Sequence, residues 1–454
     1  MEKFDLLVVG AGSAGCLAAS KAAEAGLNVC LIDLKSANEV GKKICGDAIG
    51  KHHFENLGLE EPRKGEFEGK VLGIKIFSPD IRTVFNVVGE GLHGYLLNRH
   101  VFGQKLLRLA IQKGAVFLER TLGLEPIIEK GFVTGVLAKN LEKNEKMKLY
   151  AKVTVDASGY TAVLRKKLPL EIGISPHTDK EEYEACYREI RELKEEVEDE
   201  RFCEIYLNQN LAPGGYYWIF PKNKMKVNVG IGVAMKYKFP NPKEQLYKHV
   251  LTRELFRGSR VLDGGSWCVP TRRPLDSMVG NGIIVAGDAA CQVNPIHGGG
   301  IGPSMAAGVL AAQTVVEALE GGDWSRDGLW RYNVRFMSSY GAKQAALDIF
   351  RIFLQACSDE EINYGMQYRL ITERDVLKAS QMGDIRLNLT EKTLRIFRGL
   401  RRLGFLKKLK EAADLMKKAK NHYLNYPEKP EEFENWKVTT QSIIEKAKVK
   451  FGSV

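Results

Sequence analysis

The segment Phe4–Asp33, FDLLVVGAGSAGCLAASKAAEAGLNVCLID, constrains the fold more than any other part of this sequence. Its apolar run Leu6–Val9 is too short for a helix and predicts a buried parallel strand. The small residues of Ser13–Ala25 predict a helix packed closely on a sheet, and Asn28–Ile32 predicts a second buried strand. Three glycines lie around the start of the helix: Gly10, Gly12 and Gly15.

The spacing of these residues suits a dinucleotide cofactor. Gly10 permits a tight turn, Gly12 lets the backbone approach a pyrophosphate, and Gly15 lets helix and strand pack closely. The helix N-terminus directs unpaired N–H groups and a positive dipole end at the phosphates. Asp33 ends the second strand, where its carboxylate can accept hydrogen bonds from a ribose. A glycine-rich turn that serves only packing would leave Asp33 unexplained, so we predict dinucleotide binding.

The length of 454 residues allows two or three domains and a large core. No apolar run reaches the roughly 18 residues that a membrane span needs, and the first apolar stretch is explained as a strand rather than a signal peptide. We therefore expect a cytoplasmic protein. Its eight cysteines are scattered without a CxxC pair, which argues against zinc, an iron–sulfur cluster or a disulfide scaffold. We expect no metal and no nucleic-acid partner.

The net charge of +11 is concentrated towards the end of the chain. Between Leu394 and Asn421, ten basic residues accompany two acidic ones, with leucines and phenylalanines at helical spacing. Such a segment is typical of contact with an anionic membrane surface or an acidic protein. A solvated helix face in a lysine-rich protein explains the same pattern, and the residues alone do not decide between these readings.

Two candidate residues precede position 100. Cys45 lies in the loop KKICGDAIG, Lys42–Gly50, which follows the second strand and so runs towards the reactive end of a bound dinucleotide. Its thiol could be catalytic, contact a cofactor ring or only fill space. Arg99 follows the helix N-cap Asn98, where the helix dipole disfavours a cation. We expect Arg99 to have an anionic partner, which is either part of a cofactor or a surface acid.

Three segments in the middle of the chain carry weaker patterns. Asp179–Glu200 is charge-rich with helical spacing and predicts a solvated helix. Tyr216–Phe220 is an aromatic run between a Gly-Gly pair and Pro221, and it predicts an apolar surface that serves either the core or a substrate. Arg272 and Arg273 could bind phosphate or carboxylate, or form a surface pair.

The segment Gly282–Gly308 predicts a second contact with the same cofactor. Ile283–Ala286 predicts a buried strand that delivers Gly287 and Asp288 to a loop with three consecutive glycines. Ile301–Leu319 predicts a helix of small residues like the first one. An acidic residue, close backbone approach and a helix N-terminus together suit a cofactor contact.

Together these motifs resemble the FAD-dependent oxidoreductases of the p-hydroxybenzoate hydroxylase fold. The resemblance rests on GxGxxG with Asp33, on DASG at 156–159 and on GD followed by a glycine triplet at 287–300. Within that fold, YxWxFP at 216–221 followed by GxG at 230–232 is similar to the signature of geranylgeranyl reductases. KxCGD around Cys45 and PTRRP at 270–274 resemble the archaeal members of that family, the digeranylgeranylglycerophospholipid reductases.

The resemblance implies which residues form the site. It implies that FAD is contacted by loop and helix-start positions, namely Gly10, Gly12, Ala14, Gly15, Asp33, Cys45, Gly46, Ala48, Arg99, Gly123, Asp288, Gly300 and Ile301. It implies that the aromatic run lines a long isoprenoid pocket, with Tyr216, Tyr217, Trp218, Phe220 and Pro221 as its residues. It also implies that Cys45 lies over the flavin as a catalytic residue, and we predict Cys45 or an ordered water as the proton donor.

The fold class implied is α/β (α+β), with a Rossmann-like FAD-binding domain, an inserted mixed β-sheet domain and a C-terminal helical region. We predict the FAD-binding domain at residues 1–170 and 260–322. The substrate-binding sheet is predicted at 171–259 with parts of 65–98. The helical region is predicted at 323–454 and ends in a helix at Glu432–Lys450.

The reaction implied is the saturation of isolated C=C bonds of geranylgeranyl chains, on archaeal ether phospholipids, by hydride transfer from reduced FAD. The sequence holds no second dinucleotide fingerprint, so we expect an external electron donor, a ferredoxin or NAD(P)H. A peripheral position at the inner face of the cell membrane would fit the basic segment. The alternative functions are a flavin monooxygenase or halogenase of the same fold and a prenyl-lipid binding protein without catalysis.

Overall fold

We describe a computed structural model of the protein over residues 3–89, 91–236, 238–383 and 402–452, without the side chain of Ser380. Part of the predicted basic segment, including Arg395, Arg398 and Arg401, lies outside these residues. The described strands are β1 (Phe4–Val9), β2 (Val29–Ile32), β3 (Ala48–Gly50), β4 (Phe67–Val71), β5 (Gly73–Phe77), β6 (Val84–Val88), β7 (Gly94–Leu97), β8 (Val116–Leu118), β9 (Thr121–Glu129), β10 (Phe132–Asn140), β11 (Glu145–Asp156), β12 (Tyr183–Glu192), β13 (Phe202–Tyr206), β14 (Tyr216–Asn223), β15 (Lys226–Ala234), β16 (Arg260–Pro270), β17 (Val279–Gly280) and β18 (Ile283–Val285). The described α-helices are α1 (Ser13–Glu24), α2 (His52–Asn56), α3 (Arg99–Gln112), α4 (Pro242–Gln245), α5 (Ile301–Glu320), α6 (Arg326–Leu329), α7 (Arg331–Phe336), α8 (Ala342–Gln355), α9 (Asp359–Gln367), α10 (Glu373–Met382), α11 (Leu403–Leu424) and α12 (Phe433–Phe451).

The first sheet is Rossmann-like and has the strand order β17-β18-β11-β1-β2-β8, to which β10 and β9 are added beside β11. β1 pairs in parallel with β2 and with β11, and β11 pairs in parallel with β18. α1 and α5 pack against each other beside this sheet. The two predicted cofactor segments therefore lie next to each other, and the predicted fold class is confirmed.

Close backbone packing explains the small residues of both segments. Gly10 has φ +105°, and a Cβ there would lie 2.4 Å from the carbonyl oxygen of Ala157. A Cβ on Gly15 would lie 1.8 Å from the carbonyl oxygen of Gly10. A Cβ on Gly308 of α5 would lie 2.2 Å from the carbonyl oxygen of Ala14 in α1. Side chains at these glycines would therefore push the turn and the two helices apart.

The second sheet has the order β16-β12-β15-β14-β13-β5-β6 and is antiparallel except between β13 and β5. One face lines the cavity described below, and the other carries a separate core that includes Tyr217, Leu246 and Phe256. β16 extends this sheet to Pro270, beyond the predicted boundary of the inserted domain at residue 259.

The region after residue 323 is helical where it is described, as predicted. α11 packs along α8, and α12 packs on both. The buried side of α11 includes Phe405, Leu409 and Leu415, whereas Lys407 and Lys417 are exposed. None of the described helices is both long enough and apolar enough to cross a membrane.

The predicted solvated helix at Asp179–Glu200 is wrong, because the segment contains strand β12. The charges that suggested a solvated surface are satisfied within the sheet. Arg188 Nη1 donates to Asp263 Oδ2 at 2.7 Å, and the Glu189 carboxylate accepts from the Tyr187 hydroxyl at 2.9 Å. Charged residues form a buried strand here since their partners come from other strands or from the strand itself.

Arg272 and Arg273 are buried and bind internal carboxylates. Arg272 Nη1 donates to Glu182 Oε2 at 2.5 Å, and Arg273 Nη1 lies 3.7 Å from Asp348 Oδ2. Arg273 Nε also donates to the Tyr423 hydroxyl at 3.1 Å. These contacts tie the end of β16 to the C-terminal helices, so of the alternatives left open by the sequence the two arginines bind carboxylates and do not form a surface pair.

Candidate active site

One cavity of about 480 Å³ joins the first sheet, the second sheet and the C-terminal helices. At one end it is bordered by the start of α1, the 43–50 loop, Asp288 and the glycine triplet before α5. At the other end it is bordered by aliphatic and aromatic side chains of the second sheet and of α8 and α9. The cavity thus places a cofactor-type loop cluster and an apolar chamber in direct continuity.

Most of the residues predicted to contact FAD line the first end of this cavity. They are Gly12, Ala14, Cys45, Gly46, Ala48, Arg99, Asp288, Gly300 and Ile301. A Cβ added to Gly12 would meet nothing within 4 Å, whereas Gly10 and Gly15 are closely surrounded. Gly12 therefore leaves open space in front of the α1 N-terminus, where a pyrophosphate is expected.

The remaining predicted contacts lie outside the cavity lining. Gly10 and Gly15 shape the turn itself. Asp33 Oδ2 accepts from the Ala11 backbone N–H at 2.6 Å, and its other oxygen accepts from the N–H of Lys35 at 2.8 Å. Each oxygen retains a second lone pair, so the carboxylate can still accept from a ribose hydroxyl. Gly123 packs in β9, where a Cβ would lie 2.9 Å from Val9 Cγ1.

Arg99 tests whether this end of the cavity fits a flavin nucleotide. Its helix begins as predicted, with the Asn98 side chain accepting from the Val101 N–H at 3.2 Å. Arg99 Nε and Nη1 are buried with no hydrogen-bond partner among the described residues. Leaving buried donors unpaired costs about 1–3 kcal/mol each. The anionic or carbonyl groups of a flavin nucleotide would satisfy them, so the residues of this end fit FAD.

The loop that carries Cys45 is fixed by buried polar contacts. Asp47 has φ +68° and lies on the loop at 2% exposure. Its Oδ2 accepts from Lys222 Nζ at 2.8 Å and from Asn228 Nδ2 at 3.0 Å. Asn228 Nδ2 also donates to the Cys45 carbonyl at 2.7 Å, and its Oδ1 accepts from Trp218 Nε1 at 3.0 Å. The second sheet therefore holds Cys45 in a set position at the junction of the two ends.

Sequence reasoning missed Asp47, Lys222 and Asn228. The available signal was a polar residue inside an apolar strand, VNVGIGV, and a lysine directly after the aromatic run. Buried polar groups of this kind need partners. Which partners they find depends on the pairing of β14 with β15, which the sequence did not reveal.

The aromatic run is divided between the two faces of β14, since successive strand residues point to opposite sides. Tyr216, Trp218 and Phe220 line the cavity. Tyr217 stacks on Tyr206 in the separate core, with ring centroids 4.5 Å apart. Pro221 shares that opposite face and is absent from the lining. The prediction that Tyr217 and Pro221 line the pocket is therefore wrong.

The GxG motif of β15 makes room for the cavity side chains. A Cβ on Gly230 would lie 2.3 Å from the indole ring of Trp218. A Cβ on Gly232 would lie 2.9 Å from Glu184 Oε2. The two glycines thus let Trp218 and Glu184 lie flat across the sheet. This explains why the aromatic run and the glycine pair occur together.

His53 lines the cavity as an uncharged imidazole. Burial, with smaller contributions from the nearby His52 and Lys343, lowers the pKa of His53 to about 3. His53 Nδ1 lies 3.0 Å from the Tyr340 hydroxyl. The His53 imidazole is therefore neutral at physiological pH.

Two families match parts of this chain. The family described as "Geranylgeranyl reductase catalytic domain" matches residues 182–265, and "Glucose inhibited division protein A" matches residues 5–65. The first match covers β12–β15 and the second covers the α1 turn and the Cys45 loop.

Two relatives that match along most of this chain have the same name. The digeranylgeranylglycerophospholipid reductase of Sulfolobus acidocaldarius is 42% identical over 97% of this chain and 97% of that protein. The protein of the same name from Methanothrix thermoacetophila is 30% identical over 85% of this chain and 95% of that protein.

Solved structures share the fold. A geranylgeranyl bacteriochlorophyll reductase-like protein from Thermoplasma acidophilum has a TM-score of 0.75 at 23% identity, covering 91% of this chain and all of that chain. The flavin-dependent brominase Bmp2 has a TM-score of 0.65 at 19% identity, covering 89% of this chain and all of that chain. At 23% and 19% identity, these structural similarities show only that the fold is shared. The identity to the whole-length relatives shows that the chain belongs to the digeranylgeranylglycerophospholipid reductase family of FAD-dependent prenyl reductases.

Proposed function

We propose that the chain saturates isolated C=C bonds of geranylgeranyl chains on archaeal ether phospholipids, with reduced FAD as the hydride source. One observation carries this proposal, namely the continuity of a single cavity from the dinucleotide motifs to an apolar chamber. The names of the whole-length relatives support the substrate class. A halogenase shares the fold, but the YxWxFP and GxG motifs at 216–232, which here form the chamber, favour a prenyl substrate.

The residues at the first end have complementary proposed roles in holding FAD. Gly12 and Ala14 face the pyrophosphate at the α1 N-terminus, and Arg99 supplies donors that are otherwise unpaired. Asp288 and Gly300 place the N-terminus of α5 beside the same cofactor. Bound and reduced, FAD supplies a hydride to an alkene.

The chamber must supply much of the rate by positioning, because an isolated alkene offers no carbonyl to polarise. Trp218 is fixed through Asn228, and Phe220 lies against Gly46, where a Cβ would be 3.1 Å from its ring. These rings exclude water between the Cys45 loop and the prenyl chain. Their faces can also stabilise cationic character at a substituted alkene carbon. Cys45, at the junction, is the proposed catalytic residue that contacts flavin and chain.

Trp218→Ala is expected to retain FAD and to raise KM for a geranylgeranyl phospholipid about tenfold or more, because it removes a ring that contacts the chain. We would measure product by mass spectrometry with dithionite as reductant under argon. Tyr217→Ala is the matched control, since Tyr217 lies on the opposite face of the same strand and its loss should reduce stability without changing KM. Wild-type protein that consumes oxygen and leaves the chains unsaturated would contradict the function. Equal KM values for the two variants would contradict the role of Trp218.

We also propose an external electron donor, a ferredoxin or NAD(P)H, and an electrostatic contact with an anionic membrane. Most of the apolar side of α11 is covered by other helices, so the proposed contact relies on exposed lysines such as Lys407, Lys417 and Lys418. Charge attraction of this kind weakens with salt. Flotation with anionic vesicles tests it, because binding should occur at low salt and be lost at high salt. Absence of binding at low salt would contradict it.

A further inference from the structure

Glu184 is an unusual residue for an apolar chamber. It lies on β12 at 5% exposure and lines the cavity. Cys186, two residues further along the strand, shares its face and also lines the cavity. Tyr216 lies in the same row of the sheet, because Cys186 and Tyr216 both pair with Gly232. The carboxyl therefore lies among side chains that line the cavity.

The sheet has a specific place for this carboxyl. Gly232 has no side chain, and Glu184 Oε2 lies 2.9 Å from the position that its Cβ would take. The carboxyl thus covers the glycine gap of the GxG motif. The same strand face continues to Arg188, which donates to the carbonyl of Lys43 at 3.3 Å in the loop that carries Cys45. A residue on this face can reach a chain that extends from the Cys45 loop.

The Glu184 carboxyl makes no ion pair or side-chain hydrogen bond with any residue in the described part of the chain. The charge of Arg351 in α8 acts on Glu184, but its guanidinium donates to Asp348 at 2.7 Å and to Gln355 at 3.0 Å instead. Burying an unpaired carboxylate is costly, so the neutral acid is favoured. Burial raises the pKa of Glu184 to about 8, against a smaller lowering by Arg351.

The other titratable groups that face Glu184 are poor proton donors. Burial raises the pKa of Cys186 on β12 and of Tyr216 on β14 well above their ordinary values. The Tyr216 hydroxyl donates to the backbone carbonyl of His297 at 2.8 Å. The Arg351 guanidinium would stabilise a carboxylate. Glu184 alone of these residues is both protonated and able to release its proton near neutral pH.

We propose that Glu184 is the proton donor of the prenyl reduction, in place of Cys45 or an ordered water. This inference rests on the proposed function. One alkene carbon receives a hydride from reduced FAD, and the π bond breaks. The other carbon receives the Glu184 proton. The hydride supplies two electrons and one hydrogen and Glu184 supplies the second hydrogen, so the step balances and a saturated bond forms. The carboxylate left beside Arg351 is reprotonated from water when the product leaves.

The role explains why a carboxyl is retained in this place. A methionine or leucine would contact an alkyl chain better and would cost nothing to bury. A neutral carboxylic acid supplies a proton inside a cavity that must exclude water. Because Gly232 has no side chain, the Glu184 carboxyl lies close to the sheet, and a prenyl chain can pass over it.

The test compares Glu184→Gln with Glu192→Gln, an exposed glutamate on the same strand. FAD-loaded protein is reduced by dithionite under argon and mixed with a geranylgeranyl phospholipid, and saturation is followed in a single turnover from pH 6 to 10. We expect Glu184→Gln to retain FAD and lipid affinity but to lose about 100-fold or more in rate. We expect Glu192→Gln to match wild type. The wild-type rate should fall above about pH 8 as Glu184 loses its proton, and this fall should be absent in Glu184→Gln.

Each outcome decides between named alternatives. A Glu184→Gln rate within threefold of wild type, with the same fall at high pH, would overturn the proposal. If Cys45→Ser abolishes that fall while Glu184→Gln keeps it, Cys45 is the donor. If Glu184→Gln does not fold, a wild-type rate that is constant from pH 6 to pH 10 would overturn the proposal on its own. A wild-type protein that never saturates the lipid would instead contradict the proposed function.

Discussion

Lys222→Met is expected to lower the free energy of unfolding by about 3–5 kcal/mol, because it leaves the Asp47 carboxylate buried without its cation. Lys222 Nζ is 2.8 Å from Asp47 Oδ2 and 2.7 Å from Glu68 Oε2, and its side chain is 4% exposed. The variant should also lose FAD more readily, since Asp47 holds the loop of Cys45. Denaturant unfolding of the FAD-free protein measures the first effect, and flavin release on dilution measures the second.

The matched control is Lys226→Met. Lys226 pairs with the same Glu68 at 3.0 Å but is partly exposed, so its loss should cost about 1 kcal/mol or less. Adding Asp47→Asn to Lys222→Met should recover part of the loss, since the charge left unpaired is removed. Equal effects of the two lysine variants would show that the Asp47–Lys222 contact does not hold the loop.

Gly12→Ala is expected to lower FAD affinity and Gly15→Ala is expected to lower the stability of the fold, although both glycines lie in one motif. Gly12 has φ −79° and ψ −171°, which alanine adopts freely, and its Cβ would enter open space. The FAD-free fold should therefore be unchanged, while FAD affinity should fall about tenfold or more as the methyl occupies the pyrophosphate position. Gly15→Ala should destabilise the fold itself by about 1–3 kcal/mol or more, because its Cβ would lie 1.8 Å from the Gly10 carbonyl oxygen.

Unfolding of both FAD-free variants and flavin titration of the refolded proteins separate these effects. Gly26→Ala cannot serve as a control, since Gly26 has φ +87°. Ala25→Gly, at the end of α1 and far along the helix from the turn, is the better control and should leave FAD affinity unchanged. If Gly12→Ala binds FAD as tightly as wild type, the pyrophosphate does not lie at the α1 N-terminus.

The parts of the fold that were predictable from sequence are those with local causes. The β1–α1–β2 unit follows from short apolar runs, small helical residues and glycines at fixed spacing. α3 begins at its predicted N-cap Asn98, and the final helix was predicted within a residue of Phe433–Phe451. In each case, residues close in sequence determine the structure.

The missed features have distant causes. β12 was predicted as a helix because its many charges suggested a solvated face, whereas Arg188 binds Asp263 of β16 and Glu189 accepts from Tyr247. Treating the aromatic run as one surface ignored the two-residue period of a strand, which sends Tyr217 away from Trp218. Glu184 carried no local signal, since its burial depends on Gly232, almost fifty residues later.

A single anaerobic turnover tests the proposed chemistry most directly. The FAD-loaded protein is reduced by dithionite, freed of excess reductant and mixed with a geranylgeranyl phospholipid, while flavin absorbance and lipid mass are followed together. We expect the flavin to reoxidise without oxygen and one C=C bond to be saturated for each flavin reoxidised. A flavin that stays reduced until oxygen is admitted, with the lipid unchanged, would contradict the prenyl reductase function and favour an oxygen-dependent enzyme of the same fold.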